Sequence, residues 1–260
     1  MTPVQFPVHQ NFLLNPQAWG KAEHRDVVNL LDNVISIFYS NLNKGIINER
    51  PVLVVHSSLH NPPRDYPELI TFNETSFIFL ITQDTSWSQY AYQFAHELCH
   101  YVINIPFPPK CDKFGWLEEA ICELASIYTL KKMASDWRIN PPYPNWVVYS
   151  DSLNSYADNI IHAEENILDI PFNQWLTSIM DTLYQNRVDR KSNRIVALQL
   201  LPVFIEQPIL WQAVQYLSNV EVTIHMSFDS FISEWEAFLP ADLQAGFSRI
   251  QEALFQSTSS

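Results

Sequence analysis

The stretch Phe94-Ala95-His96-Glu97-Leu98-Cys99-His100-Tyr101 decides how the rest of the chain is read. It holds two histidines four residues apart, with a glutamate directly after the first. On an α-helix, residues i and i+4 lie on one face a turn apart, so His96 and His100 can address one cation while Glu97 sits beside it. Local signals put the stretch on a helix. Ser86-Trp87-Ser88-Gln89 has the form of a capping box, and no Gly or Pro follows until Pro106. Tyr90, Ala91, Phe94, Ala95, Leu98, Cys99, Tyr101, Val102 and Ile103 make the segment apolar nearly all round, which is the pattern of a buried helix. Buried imidazoles and a buried carboxylate need partners. With 8 His in 260 residues, chance produces the spacing in roughly one sequence in seventy of this composition. The bland alternative is a helix with two hydrogen-bonded core histidines.

A second helix is expected from Trp116 to Trp137. The connection from Ile105 to Gly115 carries Pro106, Pro108 and Pro109, which exclude a regular helix or a central strand. Glu119 lies beyond that connection, with eighteen residues between it and His100. Two histidines and a glutamate form the ligand set of hydrolytic zinc sites, which keep a fourth position for water. Glu118 is the rival third ligand, and because it points about a quarter-turn away the two cannot serve equally.

These residues carry a family resemblance. The segment resembles the gluzincin group of zinc metallopeptidases. Trp116-Leu117-Glu118-Glu119-Ala120 is similar to the Trp-Leu-x-Glu stretch of the M1 aminopeptidase-like branch, at the same offset from the second histidine. The resemblance runs from Ser86 to Tyr128. It implies a zincin-like α+β catalytic domain, zinc as cofactor, and His96, His100 and Glu119 as ligands. It also implies that Glu123 orients a ligand histidine, and that a Tyr or His from a helical lobe stabilises the oxyanion. Tyr149, Tyr156, His162 and Tyr184 are available for that role, with Tyr184 and Tyr156 carried forward as catalytic candidates. In such folds the strand before the motif helix forms an edge of the cleft. That makes Phe77 to Thr82, and Phe79 within it, a substrate-binding candidate through backbone pairing. An ordinary sheet strand is the competing reading. The chain departs from the family in having no Gly-Ala-Met-Glu-Asn-like stretch upstream, the feature that holds a substrate amino terminus.

Composition narrows the alternatives. At 47% apolar and 13% aromatic, 260 residues can bury a sizeable core. A net charge of −13 with only 15 Lys+Arg offers no basic face for nucleic acid. No run of eighteen apolar residues suggests a membrane span. The start Met1-Thr2-Pro3-Val4-Gln5-Phe6 does not read as a signal peptide, and three cysteines do not make a disulfide framework. The expectation is a cytoplasmic protein acting on a peptide or protein, with no nucleic-acid or membrane partner. The oligomeric state is left open.

In order, residues before about Gly20 read as an irregular arm. Lys21 to Asn43 reads as a helix with an apolar stripe. Pro51–His56, Leu69–Phe72 and Ser76–Thr82 read as strands, the last two joined at Asn73-Glu74. His56 and His60 read as ordinary histidines rather than ligands. Beyond Asn145 the candidate helices are Asp151–Leu168, Phe172–Arg187, Ser192–Phe204, Ile209–Leu217, Phe228–Phe238 and Asp242–Phe255, with Ser227 as an N-cap. The tail from Gln256 reads as frayed. The chain is thus divided into a small mixed lobe with the sheet and ligand helices, residues 1–140, and an all-helical lobe, residues 141–260. Arg190, in Asp189-Arg190-Lys191-Ser192-Asn193-Arg194, can anchor a substrate carboxylate, and a solvated helix start is the simpler reading.

The leading expectation is a zinc peptidase in which Glu97 is the general base. The alternatives are a zincin-fold protein that binds a peptide or partner without turnover, another zinc amide hydrolase, and a closed structural zinc site with Cys111 or Cys122 as fourth ligand. Cys99 reads as packing.

Overall fold

The parallel pairing of Val52–His56 with a strand on either side builds the sheet of this computed structural model, which describes residues 2–46, 50–104 and 113–256. The strands are β1 (Val4–Gln5), β2 (Phe12–Leu14), β3 (Val52–His56), β4 (Glu68–Phe72) and β5 (Thr75–Leu80), in the order β1-β2-β3-β5-β4. β2, β3 and β5 run parallel, and β1 and β4 pair antiparallel at the two ends. β3 is buried on both faces, as its unbroken apolar run requires. β4 and β5 form a hairpin whose turn residue Asn73 has φ 54°, a left-handed conformation that Asn tolerates.

Helices dominate the rest, giving an α+β fold. They are α1 (His24–Tyr39), α2 (Trp87–Asn104), α3 (Gly115–Trp137), α4 (Tyr149–Ile161), α5 (Phe172–Gln185), α6 (Arg190–Glu206), α7 (Trp211–Val214), α8 (Phe228–Ala237) and α9 (Ala241–Phe255). Among the described residues no single helix is long and apolar enough to cross a membrane.

The chain divides into two compact units. The first is Met1–Ser40, Ile47–Tyr101 and Ala125–Asp158; the second is Asn41–Ile46, Val102–Leu124 and Asn159–Ser260. This apportions the residues differently from a split at 140/141, because the division falls within α2 and within α3. In the first unit, the Phe12 ring of β2 meets Phe94 at 6.3 Å and Tyr101 at 6.0 Å, both on α2. Ser126 of α3 donates to the Tyr92 carbonyl of α2 at 2.9 Å. Trp137, at the end of α3, donates to Asn33 of α1 at 2.7 Å. In the second unit, Phe114 lies 4.5 Å from Phe231 of α8. Trp235 of α8 donates to the Ala213 carbonyl at 2.9 Å and packs edge-on to Phe247 of α9.

Three expectations change. The arm before Gly20 is ordered: β1 and β2 join the sheet, and Phe6, Phe12, Leu14 and Trp19 are buried. β5 is an interior strand, paired with β3 on one side and β4 on the other over its length. Its backbone groups are already used, so an incoming peptide cannot pair there, and the edge strand of the hairpin is β4. The helix expected over Ser192–Phe204 is longer at both ends, as α6 (Arg190–Glu206), with Pro202 inside it. Ser227 does cap α8, accepting from the Ser230 N–H at 3.1 Å. The connection at 105–112, including Cys111, and the tail 257–260 lie outside the described residues.

Candidate metal centre

His96 and His100 project from one face of α2. Their ring centroids are 5.0 Å apart with the planes at 66°, and both are partly exposed at the helix surface. Leu98 and Cys99, on the far side of the same turn, are fully buried. The helix is therefore apolar where it faces the core, and presents its imidazoles where a ligand can reach them. Glu97, next to His96, is 4% exposed, a depth at which a carboxylate needs a partner.

From α3 comes a thiol. The ligand atoms of His96, His100 and Cys122 all lie within 4.8 Å of one another. Two imidazoles and a thiol are donors that zinc takes readily, so this set fits that ion. Among the described residues the grouping takes in Cys122 and leaves out Glu119. Glu119 sits one turn N-terminal on α3, with Oε1 3.6 Å from the Arg187 guanidinium. Glu119, Cys122 and Glu123 are spaced i, i+3 and i+4, so they share one face of α3. Glu118 is partly exposed in the helix's first turn.

Glu123 is 7% exposed, and Arg194 of α6 donates from Nε to its Oε1 at 2.8 Å. The same guanidinium reaches Glu165 at 3.3 Å. The ion pair supplies the partner that a carboxylate at this depth needs. Two arginines thus address the two carboxylates of one helical face, Arg187 at Glu119 and Arg194 at Glu123. Arg194 lies in the same run, Asp189 to Arg194, as the sequence candidate Arg190. Arg190 and Arg194 are i and i+4 on α6, so periodicity could not separate them. Arg190 is exposed at the first turn of α6. Asp189 caps that turn, accepting from the Ser192 N–H at 3.5 Å and from the Ser192 hydroxyl at 2.9 Å.

The oxyanion candidates fall in different places. Tyr156 of α4 packs against Tyr92 of α2 with ring centroids 5.8 Å apart. Tyr92 is four residues before His96, on the same helix face. Tyr184 of α5 packs edge-on to Phe114 at 5.6 Å, with the Lys113 ammonium 4.9 Å from its ring centre. It lines a cavity of about 710 Å³ with Lys113, Met180, Phe228 and Asp229. Burial first, then Asp181 and Asp229, push the Tyr184 hydroxyl above its ordinary value of 10.0, so it holds its proton. Phe114 lies just before α3, and from Gly115 to Cys122 is roughly 10 Å along the helix. Tyr149 packs on Trp146, and His162 is exposed.

Phe79 is buried at 9%, beside Phe77 and edge-on to His60. His56, read from the sequence as an ordinary surface or turn histidine, is 5% exposed at the end of β3. Its Nδ1 meets the Ser58 hydroxyl at 2.7 Å, and burial holds its pKa below the ordinary 6.5 against the opposing pull of the Ile81 carbonyl. Compared with models of known protein families, with curated proteins and with solved structures, the chain matches none.

Proposed function

We propose that this chain is a zinc-dependent metallopeptidase. The observation that supports the reading is the grouping of the His96, His100 and Cys122 ligand atoms within 4.8 Å of one another, with the buried Glu97 next to His96 in the chain. His96 and His100 hold the ion, with Glu119 as third ligand by the sequence resemblance. When bound, zinc acidifies a water toward neutral pH and polarises the carbonyl to be attacked.

The remaining chemistry belongs to the protein's own groups. Glu97 accepts the proton of the attacking water and returns it to the leaving amine. Its burial keeps bulk water from taking that proton elsewhere. Tyr156 is the better placed of the two tyrosine candidates to donate to the developing oxyanion, through its packing on Tyr92 one turn from His96. The substrate is a peptide or protein. The interior position of β5 removes backbone pairing at Phe79 as the means of holding it.

A specific observation also favours a second reading. Cys122 inside the cluster is the donor expected of a closed structural site. Glu97→Gln separates the two. In the peptidase, the variant keeps its zinc and loses hydrolysis of a casein-derived peptide library by about 10²- to 10⁴-fold. Undiminished cleavage by Glu97→Gln would end the peptidase reading. Zinc retention in a wild type that cleaves nothing, with unfolding on chelation, would favour the structural one.

A further inference from the structure

We infer that Arg194 is a positioning residue for the metal centre, acting through Glu123 on the donors that α3 presents. The inference rests on the proposal that His96 and His100 hold zinc together with α3.

Three observations carry it. Glu123 is 7% exposed, and a carboxylate that deep holds one rotamer only if something fixes it. Arg194 fixes it with an Nε–H bond of 2.8 Å, and the Arg194 side chain is itself 22% exposed. The outer end of the guanidinium is tied to Glu165, in the turn at Glu164–Asn166, at 3.3 Å. One planar cation thus spans two carboxylates from different segments, which a lysine ammonium on its flexible stem does not reproduce.

The consequence reaches the ligands because of helical spacing. Glu123 is adjacent to Cys122 and one turn from Glu119, on the same face of α3. Holding Glu123 therefore braces the face of α3 that presents both donors, a helix whose apolar residues are already packed in the core. Partners of this kind behind metal ligands are worth ten- to a hundred-fold in affinity. Simple electrostatics predicts the opposite sign. Removing a cation near the site would tighten zinc binding and keeping it, as in Arg194→Lys, would leave binding unchanged, so a loss of affinity in that variant separates positioning from mere proximity.

The test is zinc affinity of the full chain by competition with a chromophoric chelator, alongside the thermal midpoint. Arg194→Lys keeps the charge and loses the fork. It is expected to weaken zinc binding about ten-fold while the chain stays folded. Glu123→Gln is expected to weaken it by a similar factor, and the double variant Arg194→Lys/Glu123→Gln to be no worse than Glu123→Gln alone. The neutral pair Arg194→Met/Glu123→Gln, which leaves no unpaired buried charge, gives the same reading if a single variant unfolds. Unchanged or tighter zinc binding in Arg194→Lys overturns the inference, and so do additive losses in the double variant. A wild type that binds no zinc overturns the metal centre itself and the role of Arg194 with it.

Discussion

Glu119 and Cys122 stand one turn apart on α3, and the choice between them as third ligand separates an open catalytic site from a closed structural one. The peptidase account assigns the role to Glu119. Glu119→Gln should then lower zinc affinity by at least a hundred-fold, while Cys122→Ser should hold zinc within about ten-fold of wild type and keep cleaving peptide. Isothermal titration of the two variants checks this, and loss of zinc from Cys122→Ser alone would reverse the assignment. Arg187 bears on the same point, since its guanidinium lies 3.6 Å from Glu119 Oε1 and is 42% exposed. The guanidinium repels any cation that Glu119 holds, and with the screening of bulk water that repulsion is worth about 1 kcal/mol, so Arg187→Met should tighten zinc binding about five-fold. A loss of affinity instead would show Arg187 to be supporting the site rather than opposing the cation. His96, Glu97 and His100 were legible in the sequence because their spacing is local to one helix. Arg187 and Arg194 were not, since they reach α3 from 68 and 71 residues beyond the carboxylates they address. No periodicity within α6 encodes which of its cations makes that contact.

Elements were legible where they were long. α1, α2, α3 and the β4–β5 hairpin lie close to where apolar patterning puts them. β1 and β2 were missed for a physical reason: two and three residues are too few to show alternation. β2 is a strand only because β3, some 40 residues later, offers it a parallel partner, as in the Phe12–Val52 pairing. A separation of 24 residues between partners, as in Val52–Ser76, likewise hid the interior position of β5, which depends on which strand lies beside it and not on its own composition. The arm is fastened to the turn before α2 at Gly20, whose φ is +65°. Asp84 accepts from the Lys21 N–H at 2.7 Å, and a Cβ on residue 20 would lie 2.4 Å from that carboxylate oxygen. Gly20→Ala should therefore destabilise the chain by about 1–3 kcal/mol, through both the strained φ and the clash. Urea denaturation checks the size, and a neutral or stabilising result would mean that the arm and the turn before α2 are not coupled.

Across the whole molecule, pH reports how the polar groups are buried. Burial raises the hydroxyl pKa values of Tyr39, Tyr90 and Tyr184, each further raised by a neighbour, and pushes Tyr101 up to about 12 against the opposing pull of Arg50. An unfolded tyrosine loses its proton near 10.0. Above that pH the folded chain binds more protons than the unfolded one, so stability is complete below pH 10 and falls as pH rises through the folded values. The thermal midpoint should drop between pH 10 and 12, with a shallower slope in Tyr101→Phe. The acid side runs through His56, whose pKa is lowered by burial below 6.5. There the unfolded chain binds the extra proton, so its contribution is present above pH 6.5 and lost as pH falls below it. The account's central claim is that two imidazoles of α2, completed from α3, hold one zinc ion. Its most direct test is zinc stoichiometry by plasma mass spectrometry on the purified chain after equilibration with a slight excess of zinc and desalting. The account predicts one zinc per chain in the wild type and none in His96→Ala/His100→Ala, with both chains folded. A zinc-free wild type, or a double variant that keeps its zinc, would contradict it.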